Sequence, residues 1–275
     1  MPELPEVETV RRTLEQLVTG KTISFVTVHW PKMVKHPDDV HLFLQLLQGQ
    51  TIQEVKRRGK FLLFYLTDYC MISHLRMEGK YGLYPKEEPV SKHTHVIFHF
   101  IDDMELRYQD VRKFGTFHLY PKGSEFQQKP LVTLGPEPLE DMFTLELLKE
   151  RLKKTNRNIK AALLDQSVLV GLGNIYVDEA LFRSGIHPTR LVSSLSEDDL
   201  KKLHSEIVAT LREAVVKGGS TVRSYVNSQG QIGMFQLELF VYSRAGEPCK
   251  KCGTLIEKSV VAGRGTHTCR KCQAE

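Results

Sequence analysis

The chain has 275 residues and a formal net charge of +5, with 41% hydrophobic and 26% charged residues. These are ordinary globular values, and the length suits two domains with a sizeable core. No apolar run resembles a signal peptide or reaches membrane-spanning length, so a cytoplasmic protein without membrane partners is expected.

The chain opens Met1-Pro-Glu-Leu-Pro-Glu-Val-Glu8. Proline at position 2 is small enough for the initiator methionine to be clipped, which would leave Pro2 as the amino terminus. A free N-terminal proline is a secondary amine with a pKa of roughly 8, against about 10.4 for a lysine side chain. Much more of it is unprotonated near pH 7, where it can attack an aldehyde-like carbon and form an iminium. Glu3 lies beside it, close enough to move protons. Pro5 suits a first helical position, with Glu6 and Glu8 in the favoured acidic turn. Taken alone, the stretch is also simply a helix start.

The predicted helix covers 5–18, with Val7, Val10, Leu14 and Val18 on one face. Strand-like segments follow at Thr22–Trp30, Phe61–Leu66, Cys70–Leu75, Thr94–Ile101, Glu105–Gln109 and Gly115–Tyr120, with Asp102-Asp103 as a tight turn. A short helix over Asp38–Leu47, closed by Gly49, interrupts them. The pattern predicts a β-sandwich-like N-terminal domain over 1–132 in an α+β protein. Leu134-Gly-Pro-Glu-Pro-Leu139 is a hinge, after which helices are expected at about 144–154, 157–165, 174–184 and 196–217. Ser196-Glu-Asp-Asp199 is a good acidic helix start, and Gly218-Gly219 stops the last helix. A polar stretch to about Gln236 closes a helical domain over 133–236, and such a long loop is usually functional or disordered.

The remainder, 237–275, holds the most specific local signal. Cys249-x2-Cys252 and Cys269-x2-Cys272 stand sixteen residues apart, inside zinc-ribbon spacing. Four thiolates close one tetrahedral Zn²⁺ site and leave no position for water, which makes the metal structural. Disulfides are disfavoured in a cytosolic chain. Between the knuckles, Val260–Thr266 reads as strand, turn, strand, with Arg264 between two glycines at the tip. His267 reads as a surface residue, and Cys70 as inert packing in an apolar strand.

Basic clusters lie at Lys56-Arg57-Arg58-Gly-Lys60, at Lys153, Lys154, Arg157 and Lys160, and in the tail. Three such clusters suggest a polyanion track, although each alone also suits solvated surface. Gly171-Leu-Gly173-Asn174 fails as a dinucleotide motif because Tyr176 replaces the third glycine. It reads as a helix–turn–helix connection with Asn174 at the N-cap, offering main-chain N–H groups to a phosphate. Met77, Arg112 and Phe114 suit core filling, or a wedge occupying the space of an extruded base.

Together these motifs resemble the formamidopyrimidine-DNA glycosylase family. The resemblance runs from Pro-Glu-Leu-Pro-Glu-Val-Glu through Arg58-Gly-Lys-Phe61, His74-Leu-Arg-Met-Glu-Gly79 and Asp110-Val-Arg-Lys-Phe-Gly115. It continues through Gly173-Asn-Ile-Tyr-Val-Asp-Glu-Ala180 to the four cysteines, nearly the whole length and in order. It implies a bifunctional glycosylase and abasic-site lyase with a helix–two-turn–helix domain, acting on oxidised purines opposite cytosine in double-stranded DNA. A monomer, associated with the nucleoid through DNA, would suffice. By resemblance, Pro2 attacks C1′, Glu3 relays protons, Lys60 assists β-elimination and Arg264 serves δ-elimination. Met77, Arg112 and Phe114 fill the vacated space, while His93, Asn156 and Asn174 hold phosphates. Ser220 and Thr221, at the base of the 218–236 loop, read the flipped base. Two rivals carry different expectations: an endonuclease VIII-like enzyme for oxidised pyrimidines, and a non-catalytic zinc-ribbon DNA-binding protein. Leu4, Met77, Arg112 and Phe114 point to the purine branch.

Overall fold

The computed structural model describes residues 1–220 and 238–273. Thr221 and most of the 218–236 loop lie outside the described residues. Two compact units are present. The first comprises Met1–Pro2 and Glu6–Val132; the second takes in Glu3–Pro5, Thr133–Ser220 and the described chain beyond 237.

Helix α1 spans Leu4–Val18. Pro5 sits in its first turn, where the missing N–H leaves no helical bond unmade. Val7, Val10, Leu14 and Val18 are each at most 1% exposed, so the i, i+3, i+4 spacing seen in the sequence faces the core. Nine strands follow: β1 Ile23–Val28, β2 Val34–His36, β3 Glu54–Arg58, β4 Phe61–Tyr65, β5 Tyr69–His74, β6 Lys80–Pro85, β7 Thr94–Phe100, β8 Met104–Gln109 and β9 Thr116–Pro121. Helix α2, Val40–Leu47, is capped by the Asp39 carboxylate, which accepts from His41 N at 2.8 Å. One sheet has the order β1-β7-β8-β6 and the other β2-β9-β5-β4-β3. All pairings are antiparallel except β2 with β9.

Side chains from both sheets, α1 and α2 share one core, in which Phe43, Phe64, Phe98, Tyr108 and Phe117 are almost fully enclosed. This is the expected sandwich. Its lasting consequence for function is that two loops, Leu75–Gly79 and Asp110–Gly115, leave a rigid frame.

The second unit is helical: α3 Leu145–Leu152, α4 Ile159–Leu164, α5 Asn174–Ser184 and α6 Glu197–Val216. Ser196 and Asp199 form a full capping box at the start of α6. Helix α5 is buried almost throughout and packs against α4, α6 and the later hairpin. That hairpin pairs β10, Glu257–Val261, with β11, Arg264–Thr268. Arg264 therefore begins the returning strand, and the turn itself is Ala262-Gly263. Phe182, Val241, Ile256, Cys249 and Cys269 form a small apolar cluster beneath the hairpin.

Candidate active site

Glu3 is 3% exposed, and its carboxylate sits at the start of α5. It accepts from Gly173 N at 2.7 Å, Ile175 N at 2.9 Å and Tyr176 N at 3.3 Å. Three N–H groups that a helix leaves without partners are thus satisfied by one carboxylate, which also lies at the positive end of the helix dipole. The N-cap position belongs to Gly173, not Asn174, and makes no side-chain cap. These three N–H groups, expected to face a phosphate, hold the Glu3 carboxylate instead.

The glycines here follow from close approach. A Cβ on Gly173 would lie 2.3 Å from the Glu3 carboxyl carbon, and one on Gly171 2.5 Å from Leu4 Cδ1. Gly171 also has φ +95° and accepts at its carbonyl from Leu4 N at 3.0 Å. Gly171-Leu-Gly173 is a cradle for Glu3-Leu4, which the sequence had presented as a phosphate turn. Pro2, covalently next to Glu3, is buried, while Met1 on its nitrogen is 47% exposed. Met1 acylates that nitrogen, so removing it is what creates a free amine.

Asn174 is half-buried, and its Nδ2 donates to Gly265 O at 2.8 Å, one residue from the exposed Arg264. Behind this contact lies a charged cluster that sequence reading missed. Lys160 and Asp178 are both 0% exposed and paired at 2.6 Å. Lys160 Nζ also donates to Thr266 Oγ1 at 2.9 Å and Gly265 O at 3.3 Å, and Asp178 Oδ2 accepts from His267 N at 2.9 Å. Burial pulls the Lys160 ammonium below the usual lysine range, against the opposing field of Asp178. Lys160 is therefore not part of an exposed basic run, and His267, 6% exposed, is not a surface residue. The available signal was Asp178-Glu179 inside the apolar run of α5, since buried acids need dedicated partners. Glu179 has such partners in Phe240, Val241 and Tyr242, whose N–H groups reach it at 2.8 to 2.9 Å. Burial raises its proton affinity despite these donors.

The four cysteine Sγ atoms all lie within 4.8 Å of one another. Cys249 to Cys272 is 3.9 Å and Cys252 to Cys269 is 3.4 Å, close to the roughly 3.8 Å edge of a tetrahedron with 2.3 Å Zn–S bonds. All are free thiols, so the set fits one zinc ion. Cys70 is fully buried, and burial raises its thiol far above the ordinary range, consistent with inert packing.

In the first unit, Lys60 is 5% exposed in the Gly59-Lys60 turn between β3 and β4. Its basic neighbours are partly spent: Arg57 pairs with Glu8 at 3.2 Å and Lys56 with Glu54 at 3.0 Å. His74 lies nearby and is held neutral, with a pKa lowered to about 3 by burial and by the charges of Arg76 and Lys60. Its Nδ1 accepts from Arg76 N at 2.9 Å. Met77 is 36% and Phe114 51% exposed, so these side chains are on loops and not core filler. The Arg112 guanidinium lies 4.6 Å from the Phe114 ring centroid. His93 is half-buried, and its carbonyl accepts from Asp110 N at 2.9 Å. Asn156 is exposed after α3. Ser220 is 4% exposed just past α6, and Thr221 is outside the described residues.

No described helix is long and apolar enough to cross a membrane. Three family models match: the formamidopyrimidine-DNA glycosylase N-terminal domain over residues 1–117, its H2TH domain over 134–226, and the zinc finger found in FPG and IleRS over 246–274. Among curated relatives, the formamidopyrimidine-DNA glycosylase of Bacillus licheniformis is 65% identical over 273 residues, with 99% of each chain covered. That of Shouchella clausii is 63% identical with the same coverage. Among solved structures, Lactococcus lactis Fpg bound to abasic-site DNA superposes with a TM-score of 0.92 at 43% identity, covering 99% of this chain and 100% of that one. The wild-type Lactococcus lactis enzyme with DNA containing N7-benzyl-Fapy-dG gives 0.93 at 44% identity, with both chains fully covered. With three successive family models and relatives matched from end to end, this chain belongs to the formamidopyrimidine-DNA glycosylase family.

Proposed function

We propose that this chain excises oxidised purines, 8-oxoguanine and formamidopyrimidines, from duplex DNA in which the lesion faces cytosine, then cleaves the strand, acting as a monomer. Family membership makes it a DNA glycosylase of base-excision repair. The relatives' complexes with abasic and Fapy-dG DNA support the lesion class.

In this reading, the Pro2 nitrogen adds to C1′ of the extruded nucleotide. The C1′–N bond breaks, the base leaves with its bonding electrons and takes up a proton, and the sugar ring opens at O4′. The resulting iminium keeps its positive charge and acidifies the C2′ hydrogen. Loss of that proton expels the 3′ phosphate, and a second elimination expels the 5′ phosphate. Glu3 moves protons at the sugar, Lys60 assists the first elimination and Arg264 the second. A closed four-thiolate zinc site has no open position, so the metal shapes the hairpin that presents Arg264.

Met77, Arg112 and Phe114 fill the space left in the duplex, with Arg112 facing the widowed cytosine. His93, Asn156 and Asn174 contact phosphates, and Ser220 and Thr221 belong to the base-reading loop. Phosphate contacts give affinity without sequence preference, as scanning DNA requires. By function, the chain divides into 1–132, 133–236 and 237–275.

The observation that carries the reading is the Glu3 carboxylate held by three main-chain N–H groups directly beside Pro2. The test is excision rate on matched duplexes. 8-Oxoguanine opposite cytosine should be released at least tenfold faster than thymine glycol, with β,δ-cleaved ends. Faster release of thymine glycol would transfer the chain to the oxidised-pyrimidine class, and binding without any nicking at abasic sites would leave it non-catalytic.

A further inference from the structure

We propose that Asp110 is a positioning residue for the base-displacing loop, holding Arg112 and Phe114 in the arrangement needed to replace an extruded nucleotide. The proposal rests on the functional reading above for the role of those two side chains.

Asp110 is 1% exposed, yet it stands at the root of a loop whose next four residues, Val111 to Phe114, are all exposed. Its carboxylate faces that loop's own backbone. Oδ1 accepts from Arg112 N at 3.0 Å, and Oδ2 accepts from Phe114 N and Gly115 N, both at 2.8 Å. The main chain of Asp110 is fixed as well: its N–H donates to His93 O at 2.9 Å, and its carbonyl is 2.9 Å from His95 Nε2. The loop thus hangs from one enclosed anion, and both residues carrying the wedge side chains donate to it. Bonds of this kind, to a charged acceptor shielded from water, are about twice as strong as neutral ones.

A second contact ties this loop to the one that carries Met77. A Cβ on Gly79 would lie 2.1 Å from the Tyr108 hydroxyl oxygen, and one on Gly115 1.8 Å from the same atom. Both loops therefore close against one buried phenol, and the absence of side chains at 79 and 115 sets their spacing. Lys113, which has φ +57°, places its ammonium 4.3 Å from the ring centroid of Trp30, the single tryptophan of the chain. Trp30 fluorescence is accordingly sensitive to where this loop lies.

The experiment compares the wild type with Asp110→Asn, which keeps the shape but turns one acceptor into a donor facing an N–H. Three readouts are taken on folded protein: 8-oxoguanine excision from duplex, nicking of a preformed abasic site in single-stranded DNA, and Trp30 emission without DNA. Duplex excision should fall at least tenfold, since hydrogen bonds to a charged group are lost. Single-strand nicking, which needs no space filled, should stay within threefold, and Trp30 emission should shift. If Asp110→Asn fails to fold, Gly115→Ala displaces the same loop through the Tyr108 hydroxyl and is held to the same three outcomes. Unchanged duplex excision, or equal losses in both activities with unchanged Trp30 emission, would overturn the proposal. A wild type unable to excise 8-oxoguanine would instead overturn the functional reading, while the emission comparison would still test how Asp110 holds the loop.

Discussion

Gly173→Ala tests the cradle of the N-terminal segment with a single methyl group. Gly173 has φ −133° and ψ −159°, an extended conformation that alanine adopts without strain. The cost is therefore steric: the new Cβ would stand 2.3 Å from the Glu3 carboxyl carbon and 2.5 Å from Oε1. Relief requires the carboxylate to withdraw, breaking at least two of its three bonds, at 2.7, 2.9 and 3.3 Å. At about 1.5 kcal/mol for each charge-linked bond, roughly 3 kcal/mol of positioning is lost. Spent on the transition state, that is about a hundredfold in rate. The helix start also loses a cap, worth ~1–2 kcal/mol, or a Tm drop of roughly 2–8 °C for a protein of this size. Single-turnover excision of 8-oxoguanine, with a melting curve on the same preparation, reads both quantities. Excision within threefold of wild type would refute the claim that this cradle places Glu3 and, through it, Pro2.

Three further outcomes follow from the same geometry. Lys160→Met leaves Asp178 as a buried charge without its ammonium and should cost about 3–5 kcal/mol in urea unfolding, whereas adding Asp178→Leu should restore much of it; equal stability of the two variants would contradict the pairing. Stripping zinc with a chelator, or replacing Cys252 with serine, should expose the hairpin to proteolysis after Arg264 or Lys258 and weaken DNA binding, as seen by limited digestion and titration; a protease-resistant zinc-free protein would speak against a structural metal. His74 has its pKa lowered to about 3, below the 6.5 of the unfolded chain, so the unfolded state binds the extra proton in between. Its contribution is complete above pH 6.5 and declines as pH falls towards 3, by ~2 kcal/mol at pH 5, and the urea midpoint of His74→Gln should show a flatter acid limb.

The helices were legible because their apolar spacing and caps are local properties. The strands that escaped sequence reading share one position: β2 and β3 are the two edges of one sheet, and β6 is an edge of the other. Edge strands carry charge and proline to discourage further pairing, which weakens the alternation that marks a strand. Lys56-Arg57-Arg58, the second half of β3, therefore read as part of a basic knot running to Lys60, and β6 ends on Pro85.

The zinc ligands were legible because their spacing is itself the geometry. Gly171-Leu-Gly173 showed its need for small residues but not what approaches them, since Leu4 and Glu3 arrive from the far end of the sequence. The same holds for Lys160, whose partner lies 18 residues away on another helix and whose other contacts lie across the hairpin. Charge alone placed it on the surface; only a buried carboxylate opposite explains its enclosure. Asp110 was visible only as a member of the family motif, because an acid serving its own loop's N–H groups has no periodic signature.

A covalent bond between the Pro2 nitrogen and the sugar can be trapped and located. Protein lacking Met1 is mixed with 8-oxoguanine duplex and borohydride, digested, and the peptide carrying the sugar remnant is sequenced by mass spectrometry. The remnant should sit on the Pro2 nitrogen, with none on protein that retains Met1. A remnant on Lys60, or trapping that does not depend on Met1 removal, would contradict it.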